Sequence, residues 1–304
     1  NTLARKLGGL IGWIGMAAED TLESSEYKEP KEMPHTVSNG AKLWYDIMGE
    51  GEPLLLHHGY TASRVNWMPI AERLAGKYQI ILMECRGTGE SEDTESGYSL
   101  EQYAKDVIAM MDFLGIDKFT YAGHSMGGGI GYVLGLNYAA RLTRLILMAP
   151  IPAAGIPGEP NQDMMKPRMQ ARLDGNRDFF KTEMIASRFR EDVETDAWFE
   201  SRIDHLMRVS EGHVLGGMQT MHDLNVEDQL AELKTPTLML AGAVDSLLAA
   251  NLNDYSKLPD ATLHVFSRAG HDVAVHEPDG VSDAIDQFMQ HGPMSAAKIM
   301  SRLQ

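Results

Sequence analysis

Tyr121-Ala-Gly-His-Ser-Met-Gly-Gly-Gly129 decides how the rest of the chain is read. It holds Gly123-x-Ser125-x-Gly127, with an apolar run before it (Phe119, Tyr121, Ala122) and a helix-like pattern after it. A serine so placed sits on a sharp strand-to-helix turn. Gly123 and Gly127 are needed because bulkier side chains would clash in so tight a turn. The turn holds the hydroxyl out of the sheet, where a histidine can reach it.

A serine hydroxyl is a poor nucleophile at neutral pH and needs a general base. The base in turn needs a carboxylate to fix its tautomer and stabilise its charge. Both belong on loops after later strands. Gly242-Ala-Val-Asp245 follows the apolar run Thr237-Leu-Met-Leu-Ala241, which places Asp245 just past a strand end. Ala269-Gly270-His271-Asp272 follows Leu263-His-Val-Phe266 in the same way. The expected catalytic set is therefore Ser125, Asp245 and His271, in that chain order at three strand ends. Two oxyanion donors complete it. Leu56-His57-His58-Gly59-Tyr60 closes the strand that begins at Leu54, and Gly59 lets the backbone turn closely enough for the Tyr60 N–H to point into the site. The Met126 N–H opens the helix after the nucleophile, where the dipole also favours negative charge. His57 and His58 read as loop supports rather than chemical groups.

Around these residues strands alternate with helices. Expected strands are 42–48, 53–57, 79–84, 118–123, 143–149, 236–241 and 261–266; expected helices are 65–75, 99–114, 126–139 and 278–290. Runs such as Ile80-Ile81-Leu82-Met83 and Leu145-Ile146-Leu147-Met148 are apolar throughout, as in a parallel sheet covered on both faces. Ser99 is a helix cap and Pro278 a first-turn proline. Between Pro150 and Thr235 the alternation stops. Residues 152–160 are rich in Pro and Gly, and helical spacing with many arginines follows. The expected organisation is an N-terminal arm and linker (1–34), a core (35–151 and 229–304) and a helical cap (152–228) over the sheet's C-terminal edge, where ligands bind in open sheets.

A formal charge of −16 argues against nucleic acid or an anionic membrane as partner. The single cysteine, Cys85, rules out an internal disulfide and fits a reducing, cytoplasmic setting. Leu3, Leu7, Leu10, Ile11 and Ile14 fall at helical spacing in an amphipathic arm. That arm is expected to dock on the body, with a homodimer contact or a membrane contact as alternatives. His205, His213 and His222 match no zinc-binding spacing and are read as surface or packing histidines, with no metal expected.

Taken together, Gly-His-Ser-Met-Gly (123–127), His58-Gly59, Arg86-Gly87-Thr88-Gly89-Glu90-Ser91, Asp245 and Gly270-His271 resemble the α/β-hydrolase family over roughly 36–151 and 229–290. The resemblance implies an α/β fold with a mostly parallel eight-stranded sheet flanked by helices and a cap inserted after the sixth strand. It also implies a Ser-Asp-His triad, no metal and no organic cofactor. Members usually carry aspartate two residues before the arginine of the Arg-Gly-x-Gly-x-Ser segment; here it is Glu84. Haloalkane dehalogenases and epoxide hydrolases use an aspartate nucleophile, unlike Ser125. Carbon–carbon bond hydrolases share the Ser-Met-Gly-Gly turn but usually show Trp where this chain has Asp272. The Ser-Met-Gly-Gly-Gly form is also similar to the cofactor-free perhydrolase and lactonase branches.

The expected activity is cleavage of a carboxylic ester or lactone of a hydrophobic small molecule. C–C hydrolysis, perhydrolysis and a slowly hydrolysing small-molecule receptor are the alternatives. The cap carries seven methionines between Met164 and Met221, a polarizable surface suited to a hydrophobic substrate. Trp67, Met68 and Trp198 are expected pocket walls. Arg168, Arg172, Arg188 and Arg190 read first as the solvated face of cap helices, and second as partners for a substrate carboxylate.

Overall fold

The computed structural model describes residues 35–301 apart from Asn39 and Asn161. The amphipathic arm at 1–34 lies outside the described residues. Eight strands form one sheet: β1 (His35–Ser38), β2 (Ala41–Met48), β3 (Glu52–His57), β4 (Tyr78–Met83), β5 (Phe119–His124), β6 (Leu142–Met148), β7 (Thr237–Gly242) and β8 (Ala261–Phe266). Their spatial order is β1-β2-β4-β3-β5-β6-β7-β8. β1 and β2 pair antiparallel, as do β2 and β4, and the remaining pairs are parallel.

The unbroken apolar runs follow from side chains that alternate between two buried faces. Leu55, Ile81, Tyr121, Leu145 and Leu147 enter one core, against helices α2 (Leu100–Phe113) and α3 (Met126–Asn137). Their neighbours Leu54, Leu56, Ile80, Ala122 and Ile146 enter the other, against α1 (Met68–Leu74), the short α9 (Val273–His276) and α10 (Pro278–His291). Ser99 caps α2 by accepting from the Gln102 N–H, and Pro278 occupies the first turn of α10.

Four helices stand between β6 and β7: α4 (Gln162–Leu173), α5 (Arg177–Ser187), α6 (Asp196–Leu206) and α7 (Glu211–Asp223). They are held to the loops at the carboxyl ends of the strands. The Ser210 N–H donates to Gly87 O (2.9 Å), Tyr60 Oη to Val214 O (2.7 Å), and Arg190 Nη1 to His276 O (2.6 Å). Cap and core fall within a single compact unit.

The structure adds elements that the pattern did not show. β1 is four residues long, and α8 (Leu248–Lys257) fills the stretch between β7 and β8. A 3-10 turn, Arg64–Trp67, precedes α1 where one continuous helix was expected. A helix α11 (Ala296–Ser301) follows α10. No helix among the described residues is long and apolar enough to cross a membrane.

Candidate active site

Ser125 is the junction between β5 and α3. Its φ of 57° and ψ of −115° are sparsely populated for a residue with a side chain. The surroundings impose that conformation. The Ser125 N–H donates to Met148 O (3.0 Å), and the Ser125 carbonyl accepts from the Gly128, Gly129 and Ile151 N–H groups at 2.8, 3.1 and 3.2 Å. The flanking glycines have no room for a side chain. A Cβ at Gly123 would stand 2.1 Å from Gly127 O, and one at Gly127 would stand 2.7 Å from His58 O.

Asp245 follows β7 and His271 follows β8, and both reach the nucleophile. His271 Nε2 lies 2.9 Å from Ser125 Oγ, and His271 Nδ1 lies 2.8 Å from Asp245 Oδ2. Since Asp245 accepts at Nδ1–H, Nε2 is left as the acceptor for the serine proton. The other Asp245 oxygen accepts from the Leu247 N–H (3.0 Å). His124 Nε2 donates to His271 O at 2.9 Å, which fixes the histidine loop on β5.

The charges of this set are mutually tuned. Burial acts to lower the His271 pKa, but the Asp245 hydrogen bond and charge, with Asp272, outweigh it and raise the imidazole above its ordinary value. Burial acts to raise Asp245, and His271 together with the Leu247 amide brings it below the ordinary aspartate range. His124 is pulled down to about 4 by burial and then by the charge of His271. It is the neutral neighbour that carries the loop.

Gly59 approaches Ser125 so closely that a Cβ there would stand 2.9 Å from Ser125 Cβ. Past that turn the Tyr60 N–H, and at the start of α3 the Met126 N–H, have no backbone acceptor among the described residues. They are the free donors flanking the nucleophile. His58 and His57 hold this floor together. His58 Nδ1 donates to Gly59 O (2.8 Å), and its Nε2 accepts from the Cys85 N–H (3.0 Å). His57 Nδ1 meets Tyr121 Oη (2.8 Å), which donates to Gly127 O (2.8 Å), while His57 Nε2 faces Cys85 Sγ (3.1 Å).

The Arg-Gly-x-Gly-x-Ser segment supports the same loops. Arg86 makes two hydrogen bonds to Asp106 (2.8 and 2.6 Å). Glu84, where the family resemblance implies aspartate, is buried in an ion pair with Arg64 (2.8 Å) and accepts from the Glu90 N–H (2.8 Å). A Cβ at Gly89 would stand 2.0 Å from the Glu84 carboxylate. The longer glutamate is accommodated because position 89 has no side chain.

A cavity of about 540 Å³ lies between the cap helices and touches the core at Thr61 and Asp272. These follow Tyr60 and His271 in sequence, so the cavity adjoins the site, although Ser125 and His271 are not themselves among its walls. Met165, Met169, Phe180, Trp198 and Phe199 supply much of its apolar surface. Trp198, an expected pocket wall, is among the residues that line this cavity. Trp67 is not: it is fully buried beneath β3, with its indole N–H donating to His57 O (3.0 Å), and Met68 packs against the same core. The 3-10 turn before α1 buries Trp67, while Met68, the first residue of α1, is half-buried.

The cap arginines divide. Arg168 pairs with Glu183 (3.0 Å), Arg188 with Asp196 (2.6 Å) and Arg190 with Glu277 (2.8 Å); of the four, Arg168 and Arg172 line the cavity. Arg202, which sequence reasoning passed over, lines it too. So does Asp272, visible in the sequence only as the neighbour of His271. His205 and His213 are buried and His222 hydrogen-bonds Gly158 O (2.9 Å); among the described residues no group of three or more potential ligands is placed to hold a metal.

Fold and site together define an α/β protein with a serine elbow beneath a helical cap. The profile of the family described as alpha/beta hydrolase fold matches residues 52–278, and the chain belongs to that family. Among its relatives, a 2-hydroxy-6-oxononadienedioate/2-hydroxy-6-oxononatrienedioate hydrolase of Comamonas testosteroni is 27% identical over 80% of this chain and 90% of its own. A thermophilic esterase from Thermogutta terrifontis, solved with malate bound, superposes with a TM-score of 0.74 at 25% identity, over 85% of this chain and 97% of its own. The enol-lactonase of Burkholderia xenovorans LB400 gives 0.75 at 21% identity over 85% and 100%, a likeness of fold alone.

Proposed function

We propose that this hydrolase cleaves a carboxylic ester or lactone of a hydrophobic small molecule by two-step acyl transfer. Ser125 Oγ attacks the carbonyl carbon while His271 Nε2 takes its proton, and the Tyr60 and Met126 N–H groups bind the oxyanion. His271 returns the proton to the leaving alkoxide, then activates water to release the acid and restore Ser125. The observation that carries this reading is the unbroken relay Ser125 Oγ–His271 Nε2–Asp245 at 2.9 and 2.8 Å, on a serine held at φ 57°.

The test is proton release in a pH-stat across short and long esters and a lactone series, with wild type beside Ser125→Ala. Serine-dependent acid production is the expected result. Equal rates for wild type and a purified, folded variant would overturn it. C–C cleavage with the same serine is a second reading, favoured by the Comamonas relative. Decay of a ring-cleavage dienoate's absorbance, with every ester left intact, would replace the first reading with it.

A further inference from the structure

Every carboxylate facing the cap cavity is already engaged. Glu183 pairs with Arg168, Glu194 Oε2 accepts the Phe189 and Arg190 N–H groups at 2.7 and 2.6 Å, and Asp272 Oδ1 accepts from Asn66 Nδ2 at 3.1 Å. Two guanidinium groups are not. Arg202 makes one hydrogen bond, from Nη1 to Thr61 O at 3.3 Å, and among the described residues no carboxylate lies within 4.0 Å of it. The Arg172 Nε–H is buried without an acceptor. A guanidinium carries five N–H donors in a planar fork that matches a carboxylate, and leaving such donors dry is costly. The histidines nearest Arg202, His58 and His205, are held neutral by burial and so add no competing cation. Thr61 and Asp272 bring this fork to the wall nearest the triad.

We propose that Arg202, backed by Arg172, docks a carboxylate carried by the substrate, so that the preferred substrates are esters bearing a second, ionised carboxyl group remote from the scissile carbonyl. This rests on the ester-hydrolase reading. Asp272 acts on Arg202 through its charge without pairing within 4.0 Å and repels a second anion, so the carboxylate takes the side of Arg202 that faces the apolar cap walls.

The test compares two matched pairs: 4-nitrophenyl hemiglutarate with 4-nitrophenyl valerate, and 4-carboxyphenyl butyrate with phenyl butyrate. Wild type favours the charged member of at least one pair in kcat/KM. In Arg202→Gln, which keeps a donor for Thr61, the charged-to-neutral ratio falls roughly 10- to 100-fold, the range for a hydrogen bond to a charged group. Arg202→Lys restores part of the ratio, and Arg172→Gln lowers it less. A purely structural role would reduce both members alike and leave the ratio unchanged, which overturns the proposal.

Calorimetry of glutarate on Ser125→Ala, with and without Arg202→Gln, separates the two readings. Arg202-dependent binding without turnover of any ester overturns the hydrolase and retains the anion site. Turnover of neutral esters, with no charge preference and no glutarate heat, does the reverse.

Discussion

The catalytic floor and the cap are built on different principles. In the floor, each reactive group is placed by backbone. Ser125, Asp245 and His271 stand at the ends of three parallel strands, and the turns that carry them close on main-chain hydrogen bonds and on glycines that admit no side chain. Two large apolar cores lie beneath them. In the cap, Ala171, Phe180 and Ile203 form a small cluster of their own, Met221 joins the core of the body, and ion pairs along half-exposed faces tie the helices. A region whose own core is this small opens at lower free-energy cost than the sheet beneath it. The contrast separates two tasks under the proposed function: the reaction needs geometry that cannot drift, whereas the proposed carboxylate contact of Arg202 lies on helices that open more readily.

The sharpest way to break the floor is Asp245→Asn, which keeps the shape and removes the charge. The amide can present its N–H to His271 Nδ1 and leave the wrong tautomer facing Ser125. The comparable change in a serine protease drops kcat about 10⁴-fold, and we expect a loss of that order here. The pH profile gives an independent readout. His271 acts as a base only when neutral, so kcat/KM of wild type rises with pH through a value above the ordinary 6.5, because Asp245 and Asp272 outweigh burial. Asp245→Asn moves that acid limb to lower pH. A loss below tenfold with an unmoved limb would mean that another carboxylate serves His271.

That difference in construction also decides what could be read beforehand. The floor was legible because its requirements are local. Only glycine fits at positions 123 and 127, only an apolar run survives burial on both faces, and the order of Ser125, Asp245 and His271 follows from strands that alternate with helices. β1 escaped because four residues, His35-Thr-Val-Ser38, carry no period long enough to recognise. Trp67 was misplaced for another reason: an aromatic after the oxyanion turn has the same sequence signature in a pocket wall as under a strand. Arg202 resembles any solvated helical arginine until the fold brings it to Thr61, a contact across 141 residues.

Acid should break the floor and cap together. His58, His205 and His213 are held neutral by burial, with pKa values near 4, 2 and 3. In the unfolded chain each binds a proton near 6.5, so below that pH the unfolded state holds more protons and is favoured. Each pH unit between 6.5 and the folded value costs up to about 1.4 kcal/mol per histidine, so the three together weaken the fold markedly as pH falls. His271, whose pKa is raised, acts in the opposite direction, but its side chain is 39% exposed and its contribution is correspondingly small. Urea midpoints measured from pH 7.5 down to 4.5 should hold nearly level to about 6.5 and then fall steeply. A level curve across the lower half would show that these histidines already carry their protons in the native state.

The seam between the two regions gives the mildest test. His213, on the cap helix α7, donates from Nδ1 to Tyr103 Oη (2.8 Å) and accepts from the Thr61 N–H at Nε2 (3.3 Å). Its ring stacks on Tyr60 at 5.7 Å between centroids. The cap thereby grips the turn that carries the Tyr60 N–H, the proposed oxyanion donor. Tyr103→Phe removes one hydroxyl and leaves the buried Nδ1–H with only the Arg86 carbonyl, at a cost of about 1 kcal/mol in stability. The grip on Thr61 loosens but does not vanish, so kcat should fall a few-fold while KM is nearly unchanged, the pattern of a group felt only in the transition state. A rise in KM at constant kcat would instead assign this seam to substrate binding and detach it from the floor.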